Sequence, residues 1–177
     1  MTQEDLKSLT YLECCIKESL RIYPSGPVVQ RELTSDLLLG KISNNNLKAS
    51  WEGERIATYC SCINLADGDL LPKNTTVLIA IHSQHHNPEI YTNPLDFKPE
   101  RFSRTENENR NFYDYFPFSG GARGCAGMHV AFVEMKIAMS SILRNFRVEA
   151  KGTFQDLHTF WNPVMKPENA FVRLHCR

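Results

Sequence analysis

The sequence has no excess of charge of either sign. Its 177 residues include 20 lysines and arginines and 20 aspartates and glutamates, so the formal net charge at pH 7 is zero. Proteins that bind nucleic acid or an anionic membrane by electrostatics concentrate basic residues on one surface. The composition therefore favours neither of these functions.

Long apolar runs are absent as well. The best run, at residues 76–81, reads Thr-Val-Leu-Ile-Ala-Ile, whereas a membrane-spanning helix needs about 20 apolar residues. A run this short predicts a buried strand. The chain begins with the polar residues Met-Thr-Gln-Glu-Asp, so we expect neither a signal peptide nor a membrane anchor at this end.

The cysteines lack the spacing of a zinc site. The 6 cysteines are Cys14, Cys15, Cys60, Cys62, Cys125 and Cys176. Cys60 and Cys62 are one residue closer together than a zinc-ligand pair requires. This distribution is typical of a reduced compartment.

A group of three histidines also lacks the ligand spacing of a metal site. His82, His85 and His86 follow the apolar run and precede Asn87-Pro88, with no cysteine or carboxylate at ligand spacing. We therefore expect a polar turn or short helix at these residues.

What the sequence does have is an ordinary globular composition, 42% hydrophobic and 23% charged, and enough length for one domain with a core.

The first helical pattern begins at Thr2, which we predict to be the N-cap, and continues at helical spacing to Tyr23-Pro24. Glu18 and Arg21 share one face of this helix. By themselves they fit a solvent-exposed ion pair as well as a buried one.

The most informative stretch is a glycine-rich loop before a second helical pattern. Residues 116–127 read Phe-Pro-Phe-Ser-Gly-Gly-Ala-Arg-Gly-Cys-Ala-Gly. Glycine lets the backbone lie close to a flat ligand, and a helix start favours the thiolate form of Cys125. Arg123 can bind a carboxylate through its forked guanidinium. An axial haem ligand requires these features, although a reduced, buried cysteine at a glycine-rich helix start also fits them.

This loop resembles the haem-binding loop of the cytochrome P450 superfamily, F-x-x-G-x-R-x-C-x-G. The five fixed positions are filled in register by Phe118, Gly121, Arg123, Cys125 and Gly127. The resemblance implies that Cys125 is the axial ligand of haem b (iron protoporphyrin IX) and that Arg123 binds a propionate. It also implies that Phe118 shields the sulfur from water.

Two more motifs resemble the same family and occur in the same order. Residues 18–21, Glu-Ser-Leu-Arg, resemble the E-x-x-R signature of the K helix, and residues 97–102, Phe-Lys-Pro-Glu-Arg-Phe, resemble the P-E-R-F segment. The resemblance implies that Glu18, Arg21 and Arg101 form a buried structural triad behind the haem loop. Such a triad is tolerated only if its hydrogen bonds are satisfied.

The extended run after Pro24 lines the substrate cavity in this family. By that resemblance Val28 and Val29 are candidates for substrate contact, and Arg31 is a candidate for binding a haem propionate. Strand-edge valines and a surface arginine are the alternative. Val164 and Met165 correspond to the family's last substrate-facing loop.

A polar insertion interrupts the family pattern over residues 41–66. Its flanks, Leu37-Leu38-Leu39 and Asp67-Gly68, predict a β-hairpin once the insertion is removed. Codons for Gly40-Lys41 and Ala66-Asp67 can supply splice sites that rejoin in frame as a single Asp codon. We predict an unstructured insertion derived from a retained intron; a genuine disordered surface loop is the alternative.

The helix after the haem loop is apolar around most of its circumference, from Ala126 towards Phe146. This pattern predicts a helix buried beneath the cofactor. Glu134 and Lys136 interrupt the pattern, and we expect both to face solvent.

The predicted fold class is mainly α with small β-sheets. Residues 1–177 would form the C-terminal portion of the cytochrome P450 fold: the K helix, β hairpins, meander, haem-binding loop and L helix. The K-helix run and the His-Asn-Pro stretch are most similar to the eukaryotic family 4 branch, which includes fatty-acid ω-hydroxylases.

The resemblance implies a haem-thiolate monooxygenase that hydroxylates a lipophilic substrate such as a fatty acid. It also implies electron supply from NADPH–cytochrome P450 reductase and a location on the cytosolic face of the endoplasmic reticulum membrane.

In this family the distal helix that delivers protons precedes the K helix, whereas this sequence starts just before the K-helix pattern. We therefore expect a C-terminal fragment of an intact parent protein, with no certain catalytic residue of its own. We expect that the fragment neither retains haem stably nor hydroxylates a substrate. The alternatives are a non-catalytic haem-binding or degenerate fragment, and an interaction module in which Cys125 is an ordinary cysteine.

Overall fold

A computed structural model describes residues 2–38, 48–51, 54–57, 70–107, 110–153, 156–161 and 164–177. The helices of this part are α1 (Gln3–Ser8), α2 (Thr10–Ile22), α3 (Ile81–His85), α4 (Arg104–Asn107) and α5 (Met128–Asn145). Its strands are β1 (Val28–Glu32), β2 (Leu37–Leu38), β3 (Lys48–Trp51), β4 (Glu54–Ala57), β5 (Leu70–Leu71), β6 (Thr76–Ala80), β7 (Phe146–Lys151), β8 (Thr159–Trp161), β9 (Met165–Pro167) and β10 (Phe171–Cys176). The strands pair only two by two, and all pairs are antiparallel. Helices with small sheets are the predicted fold class.

The first helical pattern forms two helices and not the single predicted one. Thr2 is the N-cap as predicted, and its side chain and that of Asp5 exchange hydrogen bonds with each other's backbone amides. The prediction of one continuous helix is wrong at Leu9, where ψ is 56° and the backbone leaves the helical region. Helix α2 ends at Ile22, and Pro24 follows, which cannot continue a helix.

Strands β1 and β6 form the sheet that positions the site. Their register pairs Val29 with Ile79 and Arg31 with Val77. The β-branched residues of both strands explain the pairing. Ile79 joins Ile81 and Phe116 in a buried apolar cluster, and Val29 packs against it. The residue that opens the glycine-rich loop, Phe116, is therefore anchored on this sheet.

The insertion is flanked by paired strands, as the sequence predicts. Strand β2 pairs with β5, with Leu37 opposite Leu71 and Leu38 opposite Leu70. Within the insertion, β3 and β4 form a hairpin, so the prediction of an unstructured segment is wrong for these two strands. The other residues of 41–66, and the Asp67-Gly68 turn, lie outside the described residues.

Helix α5 differs from its prediction in two ways. Its apolar face is not buried by the described residues: Val130 is 60% exposed, and Val133, Ile137 and Leu143 are exposed as well. Lys136, predicted to face solvent, is the one buried residue of the described helix. A charged side chain is buried here because it has a partner on α2.

The described helices include none that is both long and apolar enough to cross a membrane.

Candidate haem site

The glycine-rich loop is closed by its own backbone. The amide of Ser119 donates to the carbonyl of Phe116 at 2.9 Å, and the amide of Cys125 donates to the carbonyl of Phe118 at 2.9 Å. Between them, Gly121 has φ 69°, a left-handed conformation that glycine adopts without steric cost. Residues 118 and 125 are thereby held side by side across the loop.

The thiol of Cys125 is exposed to solvent. Helix α5 begins at Met128, with Gly127 as the N-cap, so the cysteine lies two residues before the cap. The sequence predicts Cys125 at the helix start. In the structure it lies outside the first turn, where the helix dipole acts less strongly. A Cβ built on Gly127 would lie 3.8 Å from the sulfur, at ordinary contact distance. Gly127 therefore leaves the neighbourhood of the exposed sulfur without a side chain of its own.

A cavity of about 990 Å³ opens beside the loop. Its lining includes both arginines that the sequence predicts to bind propionates, Arg31 from β1 and Arg123 from the loop. Nη2 of Arg31 donates to Oγ of Ser119 at 2.9 Å, which ties β1 to the loop. Guanidiniums have the charge and the forked geometry that carboxylates require.

Of the other predicted residues of the loop, Gly121 lines this cavity, whereas Phe118, Cys125 and Gly127 are not among its lining residues. Val29 lines it, whereas Val28, its neighbour on β1, is not among the lining residues. The ring centroid of Phe118 lies 5.6 Å from that of Phe132 on α5. The amide of Met165 donates to the carbonyl of Ser25, just before β1, and the side chain of Val164 is exposed.

The structure brings together the three residues of the predicted triad. Glu18 and Arg21 are completely buried, and Arg101 nearly so. Arg21 Nε lies 2.7 Å from Glu18 Oε2 and its Nη2 lies 3.0 Å from Oε1, while Arg101 Nε lies 3.3 Å from Oε1. The backbone amide of Lys98 donates to Oε1 at 2.8 Å, which is the fourth hydrogen bond to this carboxylate. The carboxylate is thus fully satisfied, as burial requires.

The same guanidiniums hold the backbone of the meander. Arg21 donates to the carbonyls of His85, Pro94 and Asp96 at 2.8, 2.7 and 3.3 Å, and Arg101 donates to those of Thr92 and Asn93 at 2.6 and 2.9 Å. The side chains therefore fix an irregular segment that has few backbone hydrogen bonds of its own.

His85 is a site residue that sequence reasoning missed. The sequence predicts a polar turn or short helix here, and the short helix is present as α3, but His85 on it is completely buried. Its Nε2 accepts a hydrogen bond from the backbone amide of Phe116 at 3.1 Å, so its proton is on Nδ1. Nδ1 is buried and has no hydrogen-bond partner among the described residues. In the sequence, the one indication of this burial is the apolar run at residues 76–81, which precedes His85.

Burial also controls the charge of these histidines. Desolvation lowers the pKa of His85 to about 3. Desolvation, assisted by the nearby His86, lowers the pKa of His82 to about 4. Both side chains are therefore neutral at pH 7. No group of potential metal ligands occurs among the described residues.

Comparison with known proteins agrees with the geometry. The family description Cytochrome P450 matches residues 1–43 and 56–174. The chain is 34% identical over 177 residues to Cytochrome P450 4g15 of Drosophila melanogaster, covering 99% of this chain and 26% of that protein. It is also 34% identical over 178 residues to human Cytochrome P450 4X1, covering 100% of this chain and 29% of that protein.

A solved structure supports the same assignment. The crystal structure of a cytochrome P450, CYP102L1, superposes with a TM-score of 0.76 at 27% sequence identity, covering 98% of this chain and 33% of that one. The chain belongs to the cytochrome P450 family. Its sequence is like that of family 4 members, and it spans about a quarter to a third of the length of the proteins it matches.

Family membership implies a haem cofactor, and the residues present fit one. An exposed thiol, two guanidiniums in a common cavity and a glycine-rich backbone match the donors and the flat shape of a haem. The apolar side chains of Val29, Ile79 and Phe116 in the same lining suit its porphyrin.

Proposed function

We propose that Cys125 is the axial thiolate ligand of haem b in a cytochrome P450 monooxygenase of which this chain forms part. The observation that carries the proposal is the loop: an exposed thiol is held by the bond from its amide to the carbonyl of Phe118, next to a cavity that contains Arg31 and Arg123. A haem with a thiolate ligand supplies oxygen activation when bound.

The residues of this chain have three tasks in that function. Cys125 donates its sulfur as a thiolate, and Arg123 and Arg31 orient the cofactor through its propionates. Phe118 and Gly127 form the protein surface around the sulfur, where an apolar side chain limits the access of water. Glu18, Arg21 and Arg101 keep the meander behind the loop in place.

The substrate and partners follow from the family 4 likeness and belong to the same proposal. The parent protein would hydroxylate a lipophilic molecule such as a fatty acid and receive electrons from NADPH–cytochrome P450 reductase. Its location would be the cytosolic face of the endoplasmic reticulum membrane. Val28, Val29, Val164 and Met165 are the proposed contacts with substrate; of these, Val29 lines the cavity.

Haem titration of this chain tests the ligand assignment. With excess haem, reduction and carbon monoxide, the unmodified chain should give a thiolate-type Soret spectrum, and Cys125→Ser should abolish it. Cys176→Ser, which replaces another exposed cysteine, is the matched control and should leave the spectrum unchanged. An unchanged spectrum in Cys125→Ser would refute the assignment.

Retention and turnover separate this proposal from its alternative. We expect haem to dissociate when the excess is removed and no product to form from a fatty acid, because the described residues leave the face of α5 exposed. Retained haem without turnover would favour a non-catalytic haem-binding protein. Turnover by this chain alone would contradict the expected dependence on the rest of a P450.

A further inference from the structure

His85 joins two parts of the molecule that are far apart in sequence. Its backbone carbonyl accepts a hydrogen bond from Arg21 Nη1 at 2.8 Å, and its ring Nε2 accepts one from the amide of Phe116 at 3.1 Å. The first contact connects it with the buried ion-pair triad on α2. The second connects it with the residue that opens the glycine-rich loop.

We infer that His85 is a positioning residue for Cys125, acting through the backbone of the loop. The connection is a series of hydrogen bonds and not a direct contact. The amide of Phe116 donates to His85, the carbonyl of Phe116 accepts from Ser119, and the carbonyl of Phe118 accepts from Cys125. The first bond fixes Phe116, the second closes the turn from Phe116 to Ser119, and the third joins Phe118, within that turn, to Cys125.

The imidazole is packed against two aromatic rings. Its ring stacks on Tyr115 with centroids 5.4 Å apart and meets the edge of Phe116 at 5.6 Å. Tyr115 is in turn fixed to α2, because its hydroxyl donates to the carbonyl of Lys17 at 3.0 Å. One of the two rings that orient the acceptor nitrogen, that of Tyr115, is thus held by α2 and not by the loop.

An unsatisfied donor makes a purely space-filling role a poor explanation. Within the part of the chain that the structure describes, Nδ1–H of His85 is buried without a partner, and a buried unpaired donor destabilises a protein. A hydrocarbon side chain would fill the same space without this cost. What the imidazole provides is an acceptor for a buried backbone amide that would otherwise be unpaired.

Amide hydrogen exchange on the haem-free full chain tests this inference. In His85→Leu, protection should fall at least about tenfold at Phe116, Ser119 and Cys125 while amides in the β7–β10 sheet keep their protection. A purely structural loss would lower protection in that sheet as well. Faster exchange at Phe116 with unchanged exchange at Cys125 would overturn the inference.

A pair of amide substitutions separates the acceptor from the volume of the ring. Glutamine can place an oxygen near the position of Nε2, whereas asparagine is one methylene too short. His85→Gln should restore protection at Cys125, and His85→Asn should not. If both variants fold and behave alike, the acceptor role is wrong; this comparison also decides the question if His85→Leu does not fold.

The functional meaning of this inference rests on the proposed haem-ligand role of Cys125. In the haem titration, His85→Leu should give a smaller fraction of thiolate-type spectrum than the unmodified chain, and His85→Gln should recover it. The exchange experiment contains no haem. A failure of the ligand proposal would therefore leave the exchange result intact, whereas a failure of the positioning role would appear in both experiments.

Discussion

The ammonium group of Lys136 on α5 lies 2.6 Å from the carboxylate of Glu13 on α2 and also donates to the carbonyl of Leu6 at 3.2 Å. The helix that follows the haem loop is thereby linked to the helix that carries the ion-pair triad. Lys136 is buried, whereas Glu13 is only partly so. Burial tends to raise the pKa of Glu13, but hydrogen bonds from Lys136 and Lys17 outweigh it, and the pKa is lowered.

Replacing Lys136 with methionine should lower the free energy of unfolding by about 1–2 kcal/mol, because a hydrogen bond between charged groups is lost at a partly buried position. Urea denaturation measures the change. Lys17→Met is the matched control, since Lys17 binds the same carboxylate within α2 at 2.6 Å, and it should cost only a few tenths of a kcal/mol. Equal losses in the two variants would show that the contact between α5 and α2 stabilises the protein no more than the ion pair within α2.

Breaking the triad should have a larger effect than breaking any exposed pair. Glu18→Gln should lower the free energy of unfolding by about 3–5 kcal/mol, because it leaves two buried guanidiniums without their carboxylate. Arg21→Lys keeps the charge but should cost a similar amount, because one ammonium cannot make both the paired bonds to Glu18 and the bonds to three backbone carbonyls. Asp96→Asn removes the exposed ion pair with Lys98 and should cost less than about 1 kcal/mol. A triad variant as stable as Asp96→Asn would mean that the buried charges are compensated in another way.

Two glycines of the loop should respond differently to alanine. Gly121→Ala should lower the free energy of unfolding by about 1 kcal/mol, because φ at this residue is 69°. Gly127 has φ −85°, and its added Cβ meets nothing closer than 3.8 Å, so Gly127→Ala should change the stability by less than about 0.5 kcal/mol. The reverse order in thermal or urea unfolding would contradict the loop geometry.

The buried histidines should make the protein less stable in mild acid. The pKa of His82 is lowered to about 4 and that of His85 to about 3, both from 6.5 and chiefly by burial. Below pH 6.5 the unfolded chain therefore binds protons that the folded chain does not. The free energy of unfolding should fall by up to about 1.4 kcal/mol per pH unit for each histidine.

A pH series of urea denaturation between pH 7 and 5 measures that slope. His85→Gln removes one of the two groups and should make the slope shallower by roughly one proton. An identical slope in the variant would mean that His85 is protonated in the folded state.

Deleting residues 40–66 tests the origin of the insertion. The deletion joins Leu39 to Asp67 and should preserve the pairing of β2 with β5. It shortens the connection between β2 and β5 roughly eightfold. The smaller entropy cost of closing this loop should raise the free energy of unfolding by about 2 kcal/mol. A loss of stability would show that the β3–β4 hairpin is an integral part of the fold.

The mature transcript provides the independent check. If the segment derives from a retained intron, transcripts that lack these codons should exist and encode Leu-Asp-Gly across the junction. Their absence from every mature transcript would favour a genuine surface insertion.

The sequence by itself determined the features that depend on neighbouring residues. The capping by Thr2, the strands on either side of the insertion and the order of the family motifs around Cys125 could all be predicted from short patterns. Cap chemistry, strand propensity and glycine turns act over a few residues, and these residues are adjacent in the chain.

Only the tertiary structure decided which polar groups are buried. Lys136 is separated by 123 residues from Glu13, and His85 by 31 from Phe116. A charged or polar side chain leaves water only where a partner replaces its hydration, and the identity of that partner is a property of the packed fold. Helical periodicity predicted the apolar helix α5, but it could not show whether another part of the protein covers its apolar side chains.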